Sequence, residues 1–120
     1  MRFQVKFKTK WSDFDPNRHM RHTAYNDYAA EVRVRFFQEH GLSINEFAKL
    51  NIGPILFKEE TSFLKEIHIG ENISVHMELE GVSKGIERWR FNHQLFNEAG
   101  ELSAEIKVYG IRSLIGFSNC

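Results

Sequence analysis

Hydrophobic and polar residues alternate at the start of the chain. Phe3, Val5 and Phe7 fall on one side and Lys6, Lys8 and Lys10 on the other. A period of two predicts a half-buried strand over residues 2–11. From Thr23 to His40 the period changes. Tyr25, Tyr28, Ala29, Val32 and Phe36 recur at helical spacing, and Ala30, Val34 and Phe37 widen the stripe. This predicts a long, deeply buried helix. Thr23 or His22 can serve as its N-cap, and Gly41 as the residue that ends it. Residues 43–50 suggest a short second helix capped by Ser43, after which Gly53–Pro54 breaks the chain. Strand patterns then cover residues 55–67, 72–82, 86–96 and 102–111, separated by turns at 69–72, 83–85 and 97–100. The predicted architecture is α+β: an antiparallel sheet with one face packed on the long helix. Consecutive hairpins neighbour one another, so the last three strands should form a meander.

A chain of 120 residues is expected to form one domain with one core. Its 16 basic residues balance its 16 acidic ones. That argues against a nucleic-acid surface, which needs clustered positive charge. Zero net charge is also compatible with self-association. Eleven Phe are many for so short a chain, and some are free to line an interface or an acyl slot. The single cysteine, Cys120, excludes an internal disulfide and points to a reducing compartment. The alternating N-terminus is unlike the apolar block of a signal peptide, and there is no membrane-length apolar run. A cytoplasmic protein without membrane partners is expected.

Between the first strand and the helix lies WSDFDPNRHMRHTAY, residues 11–25, the densest cluster of reactive groups in the chain. Asp15, Asn17 and His19 recur at alternate positions. Together they offer a base or nucleophile, a carbonyl polariser and a proton carrier. The helix start at His22 and Thr23 adds backbone N–H groups suited to a developing oxyanion. Asp13 reads instead as a turn cap. Glu31 stands four residues before Arg35, so a helix-surface pair competes with a site role. The histidines show no His-x-x-x-His spacing and the chain no Cys-x-x-Cys, so neither a metal site nor a cofactor is expected.

The segment Asp13-Phe14-Asp15-Pro16-Asn17-Arg18-His19-Met20-Arg21-His22-Thr23-Ala24-Tyr25 resembles the D-x-N-x-H-V-N-N-x-x-Y motif of acyl-ACP thioesterases. Its Asp15-Pro16 start resembles the 4-hydroxybenzoyl-CoA thioesterase branch. Both are hotdog-fold acyl thioesterases. The resemblance implies a hotdog fold, with a five-stranded antiparallel sheet wrapped around one central helix. It implies hydrolysis of an acyl-CoA or acyl-ACP thioester to a carboxylic acid and free thiol. By the same resemblance Asp15 is the catalytic carboxylate, Asn17 and His19 are its polar partners, and Glu31 is an acidic helix position. The carbonyl-polarising amide falls near His22, with Thr23 and Tyr25 beside it on the substrate side. An acyl chain would lie along the helix against Phe36, Phe57 and Phe63. Arg21 and His22 depart from the pattern, standing where the acyl-ACP motif has paired Asn. The family implies a homodimer; assembly of a tetramer is a further step that the sequence leaves open.

Two rival readings follow from the same residues. Hotdog hydratases and dehydratases carry D-x-N-P-x-H, with His five residues after Asp. Here the interval from Asp15 to His19 is four and Pro16 precedes Asn17, which disfavours that chemistry. A non-catalytic acyl-thioester-binding protein would keep the Phe-rich slot without needing Asp15.

Overall fold

The computed structural model describes residues 2–39, 52–82 and 88–114. Strand β1 (Arg2–Lys8) leads through a 3₁₀ turn, Trp11–Asp13, to helix α1 (His22–Glu39). Strands β2 (Ile52–Phe63), β3 (Asn72–Val82), β4 (Arg88–Phe96) and β5 (Leu102–Leu114) follow. All pairs are antiparallel, in the order β1-β3-β4-β5-β2. The predicted meander is β3-β4-β5, and the α+β architecture is as expected. The short helix expected at 43–50 lies outside the described residues.

Alternation builds the core. Phe7↔Ile73, Val5↔Val75 and Phe3↔Met77 pair across β1 and β3. Met77↔His93↔Ile106 and Val75↔Leu95↔Ala104 continue the same rows through β4 and β5. The helix lays Ala24, Tyr25, Tyr28, Ala29, Val32 and Phe36 into this core. Its other flank is less covered, with Ala30 and Phe37 half-buried and Val34 exposed. Phe36 sits in an aromatic cluster with Phe3, Phe37 and Phe91 at centroid separations of 5.8, 5.7 and 6.1 Å.

Strand β2 differs from the sequence reading at both ends. Gly53–Pro54 does not break the chain: β2 runs from Ile52 through both residues. Proline is tolerated because β2 pairs only with β5 and so lies at a sheet edge, where a missing N–H need cost no ladder bond. That strand also stops at Phe63, not at residue 67. Leu64 and Lys65 instead turn their N–H groups onto the carbonyl of Ser103, at 2.9 and 3.1 Å. The chain that follows is drawn to the site loop, with Met20 N–H donating to the carbonyl of Ile67 at 3.1 Å.

One glycine is required by packing. Gly110 faces Trp89 across the β4–β5 ladder, and a Cβ built there would lie 2.0 Å from the indole ring. The indole covers the space that a side chain would need.

Candidate active site

The loop between β1 and α1 is clamped at its base by Asp13. This carboxylate is buried. Its Oδ2 accepts the Lys10 N–H at 2.8 Å and a short hydrogen bond from the Tyr28 hydroxyl. Burial and then Asp13 itself raise the Tyr28 phenol above its ordinary pKa, so it remains a donor. The Asp13 carbonyl accepts the Arg21 N–H at 2.8 Å, which ties the helix entry to the same residue. Asp13 is structural, as the sequence reading held.

Asp15 organises the loop tip. The Arg18 N–H donates to its carbonyl at 2.9 Å, and its own N–H donates to the His19 carbonyl at 3.0 Å. Its Oδ1 accepts the N–H groups of Asn17 and His19, at 2.9 and 3.1 Å. These bonds close a tight reversal between Phe14 and Met20, which pair as an isolated bridge. Arg18 is forced to φ 68°, the left-handed region. Aspartate suits this place because a short acceptor can reach N–H groups further along its own turn. The Asp15 side chain is half-buried and lines an open cleft of about 620 Å³.

The cleft brings Asp15 together with four other expected residues: His19, His22, Thr23 and Tyr25. The helix begins at His22, so neither Thr23 nor His22 is its N-cap; Arg21 precedes it, and the Arg21 carbonyl accepts the Ala24 N–H at 2.9 Å. The first N–H groups of the helix therefore belong to cleft residues, and no acidic side chain stands in its first turn to compete with an incoming oxyanion. The His22 ring stacks on Phe63 at 4.1 Å, and Tyr25 meets Phe63 edge-on at 5.1 Å. Burial raises the Tyr25 phenol, opposed by a hydrogen bond from the Ile67 backbone.

Other expected residues are placed elsewhere. The Asn17 side chain is exposed and is not among the cleft-lining groups; it contributes its backbone N–H to Asp15. Glu31 is exposed and pairs with Arg35 at 3.0 Å, so the helix-surface reading describes its contact. Phe36 belongs to the core cluster and not to the cleft; the Phe57 side chain lies outside the described residues. His19 turns its Nε2 toward Glu66 Oε2, 3.2 Å away. Phe63, expected along the acyl slot, lines the cleft; Leu64, Lys65 and Glu66, which complete its wall, read as ordinary strand residues in sequence. Only the departure of the chain from β2 brings Leu64, Lys65 and Glu66 to the loop.

The arrangement offers one carboxylate fixed by its own turn, a helix start and an aromatic wall. These are the parts needed to bind an acyl group and stabilise negative charge on its carbonyl oxygen. Comparison with solved structures places the fold. A hypothetical protein of Staphylococcus aureus, solved in complex with CoA, is 24% identical with a TM-score of 0.89, covering 97% of this chain and 72% of that one. A DHNA-CoA thioesterase of Staphylococcus aureus is 19% identical with a TM-score of 0.86, covering 97% and 76%. An acyl-ACP thioesterase of Bacteroides thetaiotaomicron is 12% identical with a TM-score of 0.87; the match covers 95% of this chain but 46% of that one. No curated protein matches the chain. The family model of the thioesterase-like superfamily matches residues 9–111, spanning the loop, the helix, strands β2 to β4 and most of β5. The chain therefore has the hotdog fold and belongs to the thioesterase-like superfamily.

Proposed function

We propose that this protein hydrolyses an acyl thioester carried on coenzyme A or a carrier protein, releasing a carboxylic acid and a free thiol. Membership of the thioesterase-like superfamily supports thioester hydrolysis in general terms. The observation that carries the assignment to a site is the placement of Asp15 at a cleft which the start of α1 also lines. The Asp15 Oδ1 is engaged by the turn, so its other oxygen is the reacting one. It either attacks the thioester carbon or takes a proton from the attacking water. The first N–H groups of α1 polarise the carbonyl and receive the charge that develops on its oxygen. Phe63, His22 and Tyr25 form the wall for the acyl group. His19 handles protons or positions water from the cleft side, and Asn17 acts through its backbone. Glu31 takes no part in this scheme.

The proposed unit is a homodimer in the cytoplasm. β2 is an edge strand, and Val34 on the helix and Phe63 and Leu64 beside it are exposed. Pairing two such edges would cover apolar side chains and satisfy the outer backbone groups of β2. Sedimentation at several concentrations tests this; a folded monomer throughout would refute it. No helix among the described residues is long and apolar enough to cross a membrane.

A second reading is favoured by one observation: the two N–H groups on Asp15 Oδ1 make it a turn cap in its own right. A non-catalytic acyl-thioester-binding protein would need nothing more from it. Two variants separate the readings. Asp15→Asn keeps an acceptor for the turn, so a catalytic Asp15 predicts wild-type melting with hydrolysis down by about 10²–10⁴-fold. Asp15→Ala also loses the cap and should melt lower by about 1 kcal/mol. Full hydrolysis by a folded Asp15→Asn variant would refute the catalytic role. A panel of short, long and aromatic acyl-CoA substrates, with carrier-protein counterparts, defines the substrate.

A further inference from the structure

Sequence spacing shows no metal-ligand motif, yet the fold assembles one from two distant segments. His19 and His68 face each other as an isolated antiparallel bridge between the site loop and the chain leaving β2. The bridge is held by the neighbouring bond from Met20 N–H to the Ile67 carbonyl. Met20 and Ile67 point inward and are 3% and 0% exposed. Their neighbours must therefore point outward together, because successive side chains of extended backbone alternate. His19, Glu66 and His68 consequently share one outer face, with the two imidazoles opposite one another and the carboxylate two residues along.

The distances suit a metal ion. The His19 and Glu66 donor atoms stand 3.2 Å apart, and one donor atom from each of the three residues lies within 4.8 Å of the others. Nitrogen and oxygen ligands about 2.0–2.1 Å from a zinc-class ion stand roughly 3.0–3.4 Å apart. The His19–Glu66 pair already meets that spacing. His68 is exposed, so rotation of its side chain can shorten the other two separations, both within 4.8 Å, without moving the backbone. Competing charge is neutralised nearby: Lys65 is held by Glu101 at 2.5 Å. Glu71 is committed to the turn, its Oε2 accepting the His68 N–H at 2.6 Å and its Oε1 the Glu98 N–H at 3.3 Å. The first of these bonds steadies the backbone of a proposed ligand.

We propose that His19, Glu66 and His68 bind one divalent first-row transition-metal ion of the zinc class. Two imidazoles and a carboxylate are a donor set such ions prefer, and three protein ligands leave a coordination position for water or another small ligand. His19 and Glu66 also line the cleft, so the ion sits at its rim. His19 is shared with the proposed hydrolytic site, so the test uses binding alone.

The tag-free chain is titrated with Zn²⁺ by calorimetry and with Co²⁺ by visible absorption, which reports low-coordinate cobalt. Wild type should bind one ion of each per chain and develop the cobalt band. His68→Ala and Glu66→Gln change exposed side chains, and their folding is checked by circular dichroism with chelator present. Each should weaken binding by more than the roughly ten- to hundredfold that loss of an outer partner costs a metal site. Non-saturating binding to wild type, or equal affinities in wild type and folded His68→Ala, would overturn the proposal. Loss of hydrolysis in any variant has no bearing on it, so the two readings fail separately.

Discussion

Acidification should destabilise this protein through one buried histidine. His93 lies on the inner face of β4, fully buried between Met77 and Ile106. From α1, Arg33 brings its Nη1 to 3.1 Å from His93 Nε2. A guanidinium can only donate, so that nitrogen must be a neutral acceptor. Burial first, and the Arg33 charge second, lower the pKa from 6.5 to about 3. The same burial lowers the Arg33 pKa, opposed by the charge of Glu59 on β2. Below pH 6.5 the unfolded chain takes up a proton at this residue that the folded chain refuses. The stability is therefore complete above the unfolded pKa and is lost as pH falls toward the folded one. At about 1.36 kcal/mol per pKa unit, the loss from pH 7 to pH 5 is about 2 kcal/mol. His93→Gln keeps a neutral hydrogen-bonding side chain but removes the titration. Urea unfolding at pH 7, 6 and 5, at one protein concentration, measures the difference. The variant need not match wild type at pH 7, but the gap should shift in its favour by about 2 kcal/mol at pH 5. Parallel pH dependences would refute the argument, because the other histidines titrate in both proteins.

Three further perturbations test the packing around the site. Tyr28→Phe removes a donor from buried Asp13 and should cost about 1–3 kcal/mol in thermal unfolding; an unchanged melt would mean that the bond contributes nothing. Gly110→Ala drives a methyl group into the Trp89 ring and should cost about 1–3 kcal/mol, with altered tryptophan fluorescence; a wild-type spectrum and melt would contradict the close approach. Ile67→Ala should cost about 2–5 kcal/mol and loosen the bridge beneath His19 and His68, read by faster amide exchange at Met20; full protection there would show that the bridge stands without the core contact.

The sequence was most legible where a local period had one interpretation. Alternation through Phe3, Val5 and Phe7 and the helical stripe from Tyr25 to Phe36 specify which faces are buried, because each period permits only one face inward. The β3-β4-β5 meander followed from turns and hairpin adjacency. Pro54 was misread because a breaker is judged locally, whereas its cost depends on whether a neighbouring strand needs its N–H. The site divided along the same line. Asp15, His19 and the helix start were visible because they lie within eight residues of one another in a loop. Their contacts were not, since a carboxylate that could react can equally cap a turn, and only the folded loop has Oδ1 engaged by two N–H groups.

By itself, then, the sequence determined the long helix, the buried faces of the alternating strands and the loop that carries the candidate chemistry. Tertiary structure alone decided what meets that loop. Glu66 and His68 lie nearly fifty residues from His19, where the sequence reads only as the end of a strand. They reach it because the chain leaves β2 at Phe63 and buries Ile67 behind Met20. Periodicity reports which way a side chain faces relative to its own backbone. Whether two such faces coincide is set by how the segments pack.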